Sequence, residues 1–202
     1  MGCLKKILQI IILSLALIGF ISIGGKDFLI EQYNKYFSDS PESIMERASK
    51  LGDFSQISEE FSIDKAASAF GYQGVLAEHN ASGQKIVIVK SGKNPILTVE
   101  DFKENNVENK IDSLINKFKY QSLQVDDFTI TKSGKMKAYG QTVPYVRFTA
   151  KINKLPIGTV GGIISAVDVN DDDSFMLVSL NENKKYSQLI TDEFFKKVKF
   201  TK

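Results

Sequence analysis

The apolar residues divide the chain into one long uncharged stretch and a longer part in which apolar and polar positions alternate. Residues 7–25 read ILQIIILSLALIGFISIGG, nineteen residues without a charge. At about 1.5 Å per residue, a helix of this length crosses a hydrocarbon layer of about 30 Å. Lys5 and Lys6 precede the stretch, and basic residues are typical of the cytoplasmic side. The pattern predicts a single transmembrane helix, with the N-terminus in the cytoplasm and residues 26–202 outside. The predicted span includes Ile7, Leu13, Leu17 and Ile23.

A cleaved signal peptide is the alternative interpretation of this stretch. Ser22-Ile23-Gly24 has the small-X-small form of a cleavage site. The apolar region of a signal peptide usually spans only about 7–15 residues, so the length favours an uncleaved anchor. We therefore divide the chain into three predicted parts. They are a cytoplasmic tip and anchor (1–25), juxtamembrane helices with a linker (26–70), and an extracytoplasmic α+β domain (71–202).

The segment after the anchor predicts two helices and an irregular connection. Residues 26–40 carry four aromatic rings, which favour the headgroup layer of a membrane. Ser40-Pro41-Glu42 has the form of a helix start, with an N-cap serine followed by proline and an acidic residue. Ile44, Met45, Ala48 and Leu51 then follow at helical spacing. Residues 55–71 show neither helical nor strand periodicity and predict an irregular entry to the domain.

From Tyr72 the pattern changes to that of β-strands. YQGVLAEH and QKIVIVKS are separated by the turn residues 80–83, which end in a glycine. Glycine adopts the positive φ that closes a tight turn, so the sequence predicts a β-hairpin. The uninterrupted apolar run Ile86–Val89 is typical of a strand that is covered on both faces.

The remaining elements complete an α+β pattern. A helical stripe runs from Val107 through Ile111 and Leu114 to Phe118. Strands are predicted at 125–132, 135–140, 142–153, 158–169 and 174–181. A last helix is predicted at 183–198, with its buried side at Tyr186, Leu189, Ile190, Phe194 and Val198.

Charge and cysteine content narrow the classes of function. Without Lys5 and Lys6, the chain has 24 basic and 24 acidic residues, and a neutral domain lacks the basic surface that nucleic-acid binding requires. The sole cysteine, Cys3, precedes the predicted anchor, so no disulfide is expected. Only Arg47 and Arg147 are arginines, which makes bidentate clamps for phosphate or carboxylate groups scarce.

His79 is the obvious candidate for catalysis, because it is the only histidine and lies between Glu78 and Ser82. A serine–histidine–acid relay also requires an oriented triad and an oxyanion hole. No Gly-X-Ser-X-Gly motif is present. His79 is therefore expected to be an exposed residue beside a turn. No catalytic residue is predicted.

Residues 168–173 are the one place where oxygen ligands crowd together. Asp168, Asn170 and Asp172 are the candidate calcium ligands within it. A calcium loop of the EF-hand type requires glycine at its sixth position and glutamate at its twelfth, where this chain has Asp173 and Ser179. A solvated loop between two strands is the simpler interpretation, so neither a metal nor a cofactor is predicted.

The hairpin sequence resembles that of a known family. Ser82-Gly83-Gln84-Lys85, followed by Val87-Ile88-Val89, is similar to the hairpin of the DcrB family of bacterial envelope proteins. Phe175-Met176-Leu177-Val178, with a closing helix at Phe194 and Phe195, is a second similarity. The resemblance implies a PsbP-like antiparallel α/β/α sandwich over roughly residues 70–200. DcrB relatives are typically lipoproteins, whereas this chain lacks the lipid-acceptor cysteine after its apolar stretch.

Together these observations predict a membrane-anchored, extracytoplasmic accessory or binding protein of the bacterial envelope. It would lack catalytic activity, lie in the cytoplasmic membrane through its N-terminal helix, and have another envelope protein as its partner. An envelope hydrolase built on His79 is one alternative. A calcium-dependent binding module that uses Asp168, Asn170 and Asp172 is another.

Overall fold

The computed structural model describes residues 40–69, 72–91, 95–118, 125–152, 159–170 and 173–201. Within these ranges the chain forms four helices and seven strands. The helices are α1 (Pro41–Ala48), α2 (Val99–Lys103), α3 (Val107–Phe118) and α4 (Gln188–Lys197). The strands are β1 (Phe61–Ala69), β2 (Tyr72–His79), β3 (Gln84–Ser91), β4 (Val125–Ala138), β5 (Gln141–Ile152), β6 (Thr159–Asn170) and β7 (Asp173–Glu182).

All seven strands belong to one antiparallel sheet with the order β1-β2-β3-β7-β6-β5-β4. The last strand in sequence, β7, therefore pairs with β3 near the centre, and the edges are β1 and β4. This confirms the predicted antiparallel sheet.

Helices cover both faces of the sheet. Each strand directs alternate side chains to opposite faces, so the sheet contributes to two apolar layers. Ala48 of α1 and Phe194 of α4 belong to one apolar layer, whereas Val107 and Ile111 of α3 belong to the other. The run Ile86–Val89 contributes to both layers and is at most 1% exposed. The described residues thus form an α/β/α sandwich, and β3 is covered on both faces, as the apolar run predicted.

The predicted hairpin between β2 and β3 is confirmed. Its register pairs Tyr72 with Ser91 and His79 with Gln84, the two ends of the strands. Gly83 closes the turn with φ of +68°, in the left-handed region that residues with a Cβ seldom adopt.

We expect Gly83→Val to lower the free energy of unfolding by about 1–2 kcal/mol. A Cβ at this position would have only Glu78 Oε1 nearby, at 3.7 Å, so the loss would come from backbone strain and not from a clash. Gly83→Asn is the matched control, because asparagine tolerates this conformation better. Urea midpoints that are equal for the glycine and valine proteins would contradict this explanation.

Two strand predictions were wrong. Residues 61–69 form β1, although residues 55–71 were expected to be irregular. The segment SIDKAASA has few β-favouring residues, and its pairing with β2 holds it in the strand. Residues 125–138 form one continuous strand instead of two. Gly134 suggested a turn, but it faces Tyr145, and a Cβ there would lie 2.7 Å from the tyrosine hydroxyl. This glycine makes room for a ring and does not end the strand.

The last helix begins at Gln188, five residues later than predicted. Its buried positions are Thr191, Phe194 and Phe195, with Val198 directly after it. Leu189 was expected to be buried but is 80% exposed, since it lies on the opposite side of the helix from these residues.

The predicted transmembrane segment, including Ile7, Leu13, Leu17 and Ile23, lies outside the described residues, as does the aromatic segment before Ser40. In the described ranges, no helix combines the length and apolar character needed to cross a membrane.

Candidate functional site

His79 lies at the end of β2 and is 8% exposed, so the expectation of an exposed histidine was wrong. Its ring packs edge-on against Phe61 of β1, with the centroids 5.1 Å apart. Glu78, its sequence neighbour, forms an ion pair with Lys85. The pairing of β1 with β2, which the sequence did not indicate, is what buries the ring.

The structure brings together His79, Ser82 and Glu60. The backbone N–H of Ser82 donates to His79 Nδ1 at 3.3 Å, and Ser82 Oγ lies 2.9 Å from the same nitrogen. Nδ1 is therefore assigned as an acceptor, which places the ring proton on Nε2. Glu60 Oε2 lies 3.6 Å from Nε2 and its side chain is 67% exposed. Ser82 Oγ also accepts from the backbone N–H of Gln84 at 3.2 Å. These contacts close the turn at the hairpin tip.

We expect His79→Ala to lower the free energy of unfolding by about 1–2 kcal/mol, because it removes a buried ring and an acceptor for the turn. Glu60→Ala is the control and should change it by less than about 0.5 kcal/mol, since an exposed pair contributes little. Urea titration of both variants measures the two effects. Equal midpoints for His79→Ala and the unmodified chain would show that the ring does not stabilise the tip.

Beside the hairpin tip, a buried polar network joins β3, β7 and α4. Gln84 Nε2 lies 3.0 Å from Ser179 Oγ, 2.9 Å from Thr191 Oγ1 and 2.9 Å from the backbone oxygen of Ser187. Gln84 Oε1 accepts from the backbone N–H of Ser187 at 2.8 Å. Gln84, Ser179 and Thr191 are 0% exposed. Mutual hydrogen bonding explains how these groups are tolerated in an apolar layer.

Tyr186 connects this network to Arg147. Its hydroxyl lies 3.1 Å from Thr191 Oγ1, and the Arg147 guanidinium lies 5.2 Å from the centre of its ring. Burial raises the pKa of Tyr186 to about 12, while the charge of Arg147 opposes this shift. The tyrosine is therefore neutral at physiological pH and provides a flat surface on which the guanidinium stacks.

Asp168 is the one calcium candidate whose side chain is described. Its Oδ2 accepts from the backbone N–H of Val99 at 3.0 Å, and its Oδ1 accepts from Ser174 Oγ at 3.0 Å. Asp172 lies outside the described residues, and the side chain of Asn170 does too. In the part of the chain that the structure describes, no three histidine, cysteine or acidic side chains are grouped around a possible metal position. Asp168 holds the start of α2 against the sheet.

The outer edge of β4 has a regular stretch of backbone from Lys132 to Ala138. Ala138 pairs with Gln141 across a two-residue turn in which Tyr139 and Gly140 both have positive φ. The residues that close such a hairpin exchange hydrogen bonds, and the bonding then alternates along the strand. The backbone groups of Ser133, Lys135 and Lys137 therefore point away from β5, towards the open edge, and their side chains are exposed.

Lys132 of β4 lies directly opposite Arg147 of β5. Residues opposite each other in an antiparallel pair direct their side chains to the same face, where like charges are destabilising. Among the described residues, no carboxylate forms an ion pair with either side chain. The next positions along this face are the paired Thr129 and Thr149. Lys132 is exposed and Arg147 is half-buried, and a basic pair beside hydroxyl groups can attract an anionic group.

Sequence reasoning missed the buried polar network around Gln84 and the Lys132–Arg147 pair. Arg147 was noted only as one of two arginines, and Gln84 only as the first residue of a strand and as part of the hairpin resemblance. Neither the pairing of β4 with β5 in this register nor the contact between β3 and α4 is visible in local spacing. Residues 132–137 read KSGKMK and precede a two-residue turn. This pattern was the one signal in the sequence that indicated the open edge of β4.

No protein-family model matches the sequence, and no curated protein sequence matches it. Among solved structures, the chain is similar to the solution structure of cyanobacterial PsbP (CyanoP) from Synechocystis. The similarity covers 59% of this chain and 79% of that one, with 9% identity and a TM-score of 0.31. A similarity of this size does not define a common fold, and the sandwich is established by the strand pairing and packing described above.

Proposed function

We propose that this chain is a noncatalytic binding protein of the bacterial envelope, anchored in the cytoplasmic membrane by its N-terminal segment, with its domain outside. We further propose that its partner is a protein that adds an extended segment to the outer edge of β4. A relation to the DcrB family and to PsbP-like sandwiches is part of this proposal. The anchor, the location and the partner remain predictions.

The open edge of β4 is the observation that carries the proposal. The backbone groups of three residues along it point outward, and no described strand pairs with them. Exposed backbone of this kind binds extended peptides by adding a strand to the sheet, with backbone hydrogen bonds providing affinity. The stretch from Lys132 to Ala138 has a continuous register, as strand addition requires.

The opposite edge of the sheet is less suited to binding. Both edge strands contain register shifts, which disrupt strand addition. Beyond its shift, β1 keeps a regular stretch of five residues (65–69), whereas β4 keeps seven (132–138). Helix α1 packs beside this strand, and the Arg47 guanidinium donates to the backbone oxygen of Ala66 at 3.4 Å. The comparison favours β4 as the binding edge.

Crosslinking followed by hydrogen exchange can test the proposal. Cys3 is the only cysteine, so Ser133→Cys in the full chain, with Cys3→Ser, gives one thiol at the β4 edge. Glu193→Cys, at an exposed position on α4, is the matched control. We expect a photoreactive thiol reagent in native membranes to crosslink a defined partner from position 133 and not from 193.

The purified complex then decides whether a strand is added. Strand addition should slow the exchange of the amide protons of Ser133, Lys135 and Lys137, while the amide proton of the exposed Lys184 remains unchanged. Protection of another surface, with the β4 amides still exchanging freely, would overturn the proposed binding mode.

An envelope hydrolase is a second candidate, favoured by the proximity of Ser82, His79 and Glu60. Against it, His79 Nδ1 and Ser82 Oγ are both engaged in closing the turn. Hydrolysis of an activated ester by the full chain, lost in Ser82→Ala while the urea midpoint is kept, would place this candidate first. No turnover above that of Ser82→Ala would favour the binding protein.

A further inference from the structure

We infer that the Lys132–Arg147 pair recognises a carboxylate on the strand that binds at β4, so that the preferred partner segment is extended and acidic. This inference rests on the proposed binding at the β4 edge and adds the chemistry of the segment. Side chains of an added strand project to both faces of the sheet in alternation. Every second residue would therefore lie on the face that carries Lys132.

Arg147 is held in a suitable orientation before any partner binds. Its guanidinium stacks on the ring of Tyr186 at 5.2 Å, which restricts the long side chain and reduces the entropy lost on binding. Tyr186 is itself fixed by hydrogen bonds to Thr191 and Gln188, both at 3.1 Å. A guanidinium over an aromatic ring is attracted through its charge, and its N–H groups can still donate to a carboxylate.

The repulsion between the two cations explains why an acidic segment is favoured over other occupants. Placing Lys132 directly opposite Arg147 is unfavourable in the free protein, and a carboxylate beside both would relieve it. Asp192, which lies near Tyr186, forms a hydrogen bond with Gln188 at 2.8 Å and no ion pair with Arg147.

The same charges disfavour a second copy of this chain as the occupant. Pairing two β4 edges antiparallel would bring Lys132, Lys135 and Lys137 of one copy towards those of the other. Lysines on edge strands commonly prevent such self-association, whereas they complement an acidic strand on both faces.

The test uses the full chain in detergent and a fluorescent peptide of alternating threonine and glutamate. Lys132→Gln and Arg147→Gln should each weaken binding about fivefold or more, because each removes one of two cations around the same carboxylate. Lys196→Gln, an exposed lysine on α4, is the control and should leave the Kd unchanged. Arg147→Lys should be weaker than the unmodified chain, since lysine lacks the forked donor geometry.

Two further probes separate this inference from the proposed function. A peptide of the same charge with two consecutive prolines between successive glutamates cannot add as a strand, because one proline of each pair would lack the N–H that has to face β4, and it should not bind. Binding of that peptide as tightly as the first would overturn both ideas. Binding of the first peptide with β4 amide protection, but without sensitivity to Lys132→Gln or Arg147→Gln, would overturn the carboxylate site alone. If a threonine–lysine peptide bound as tightly as the threonine–glutamate peptide, the carboxylate site would also be wrong. The same holds if Lys132 and Arg147 were needed for binding anionic vesicles but not for binding the acidic peptide.

Discussion

Ile88→Asp should lower the free energy of unfolding by at least about 4 kcal/mol, because it places a carboxylate without a partner in the centre of the sheet. Ile88 is 0% exposed, lies in the larger apolar layer and pairs with Val75 on one side and Leu177 on the other. A loss of this size is a large fraction of the stability of a typical domain, about 5–15 kcal/mol.

Urea unfolding of a fragment that comprises residues 40–202, monitored by circular dichroism, gives the measurement. Ile88→Val is the matched control and should cost only about 0.5–1.5 kcal/mol, since it removes one methyl group. If the aspartate variant unfolds at the same urea concentration as the valine variant, β3 does not lie in the core and the sandwich is wrong.

Gln84→Leu is expected to have the second largest effect, about 2–4 kcal/mol. The substitution keeps the size of the side chain but removes the hydrogen bonds to Ser179 and Thr191, which keep their bond to each other, and leaves the backbone N–H of Ser187 without its partner. Gln84→Glu should also be destabilising, because a carboxylate cannot donate to the backbone oxygen of Ser187.

Gln56→Leu, at an exposed position outside the sheet, provides the control for the glutamine variants and should change stability by less than about 0.5 kcal/mol. Thermal and urea unfolding of all four proteins would measure the series. A Gln84→Leu protein as stable as the unmodified one would mean that the network is dispensable.

The sequence predicted those parts of the fold that short-range patterns determine. Gly83 marked the hairpin turn, and the run Ile86–Val89 indicated cover on both faces. Strand β1 could not be predicted in the same way, because its alanines, serines and lysine owe their conformation to pairing with β2. Gly134 was misleading, because a glycine that makes room for Tyr145 looks in sequence like a glycine in a turn.

The candidate sites were harder to predict, since each joins residues that are distant in sequence. His79 is buried by Phe61, and the contact follows from a strand that had no signal. Gln84 reaches Ser187 across 103 residues, and Arg147 stacks on Tyr186. Spacing along the chain cannot report such contacts, which depend on strand order and register.

The strand order also has a consequence for the time at which the sheet is completed. β3 pairs only with β2 and β7, and 81 residues separate Ser91 from Asp173. A ribosome that adds about 5–20 residues per second takes roughly 4–16 s to make this segment. Throughout that interval one side of Ile86–Val89 has no strand to pair with, and such apolar edges promote aggregation. The nascent chain is therefore most vulnerable in the middle of its synthesis, until β7 emerges.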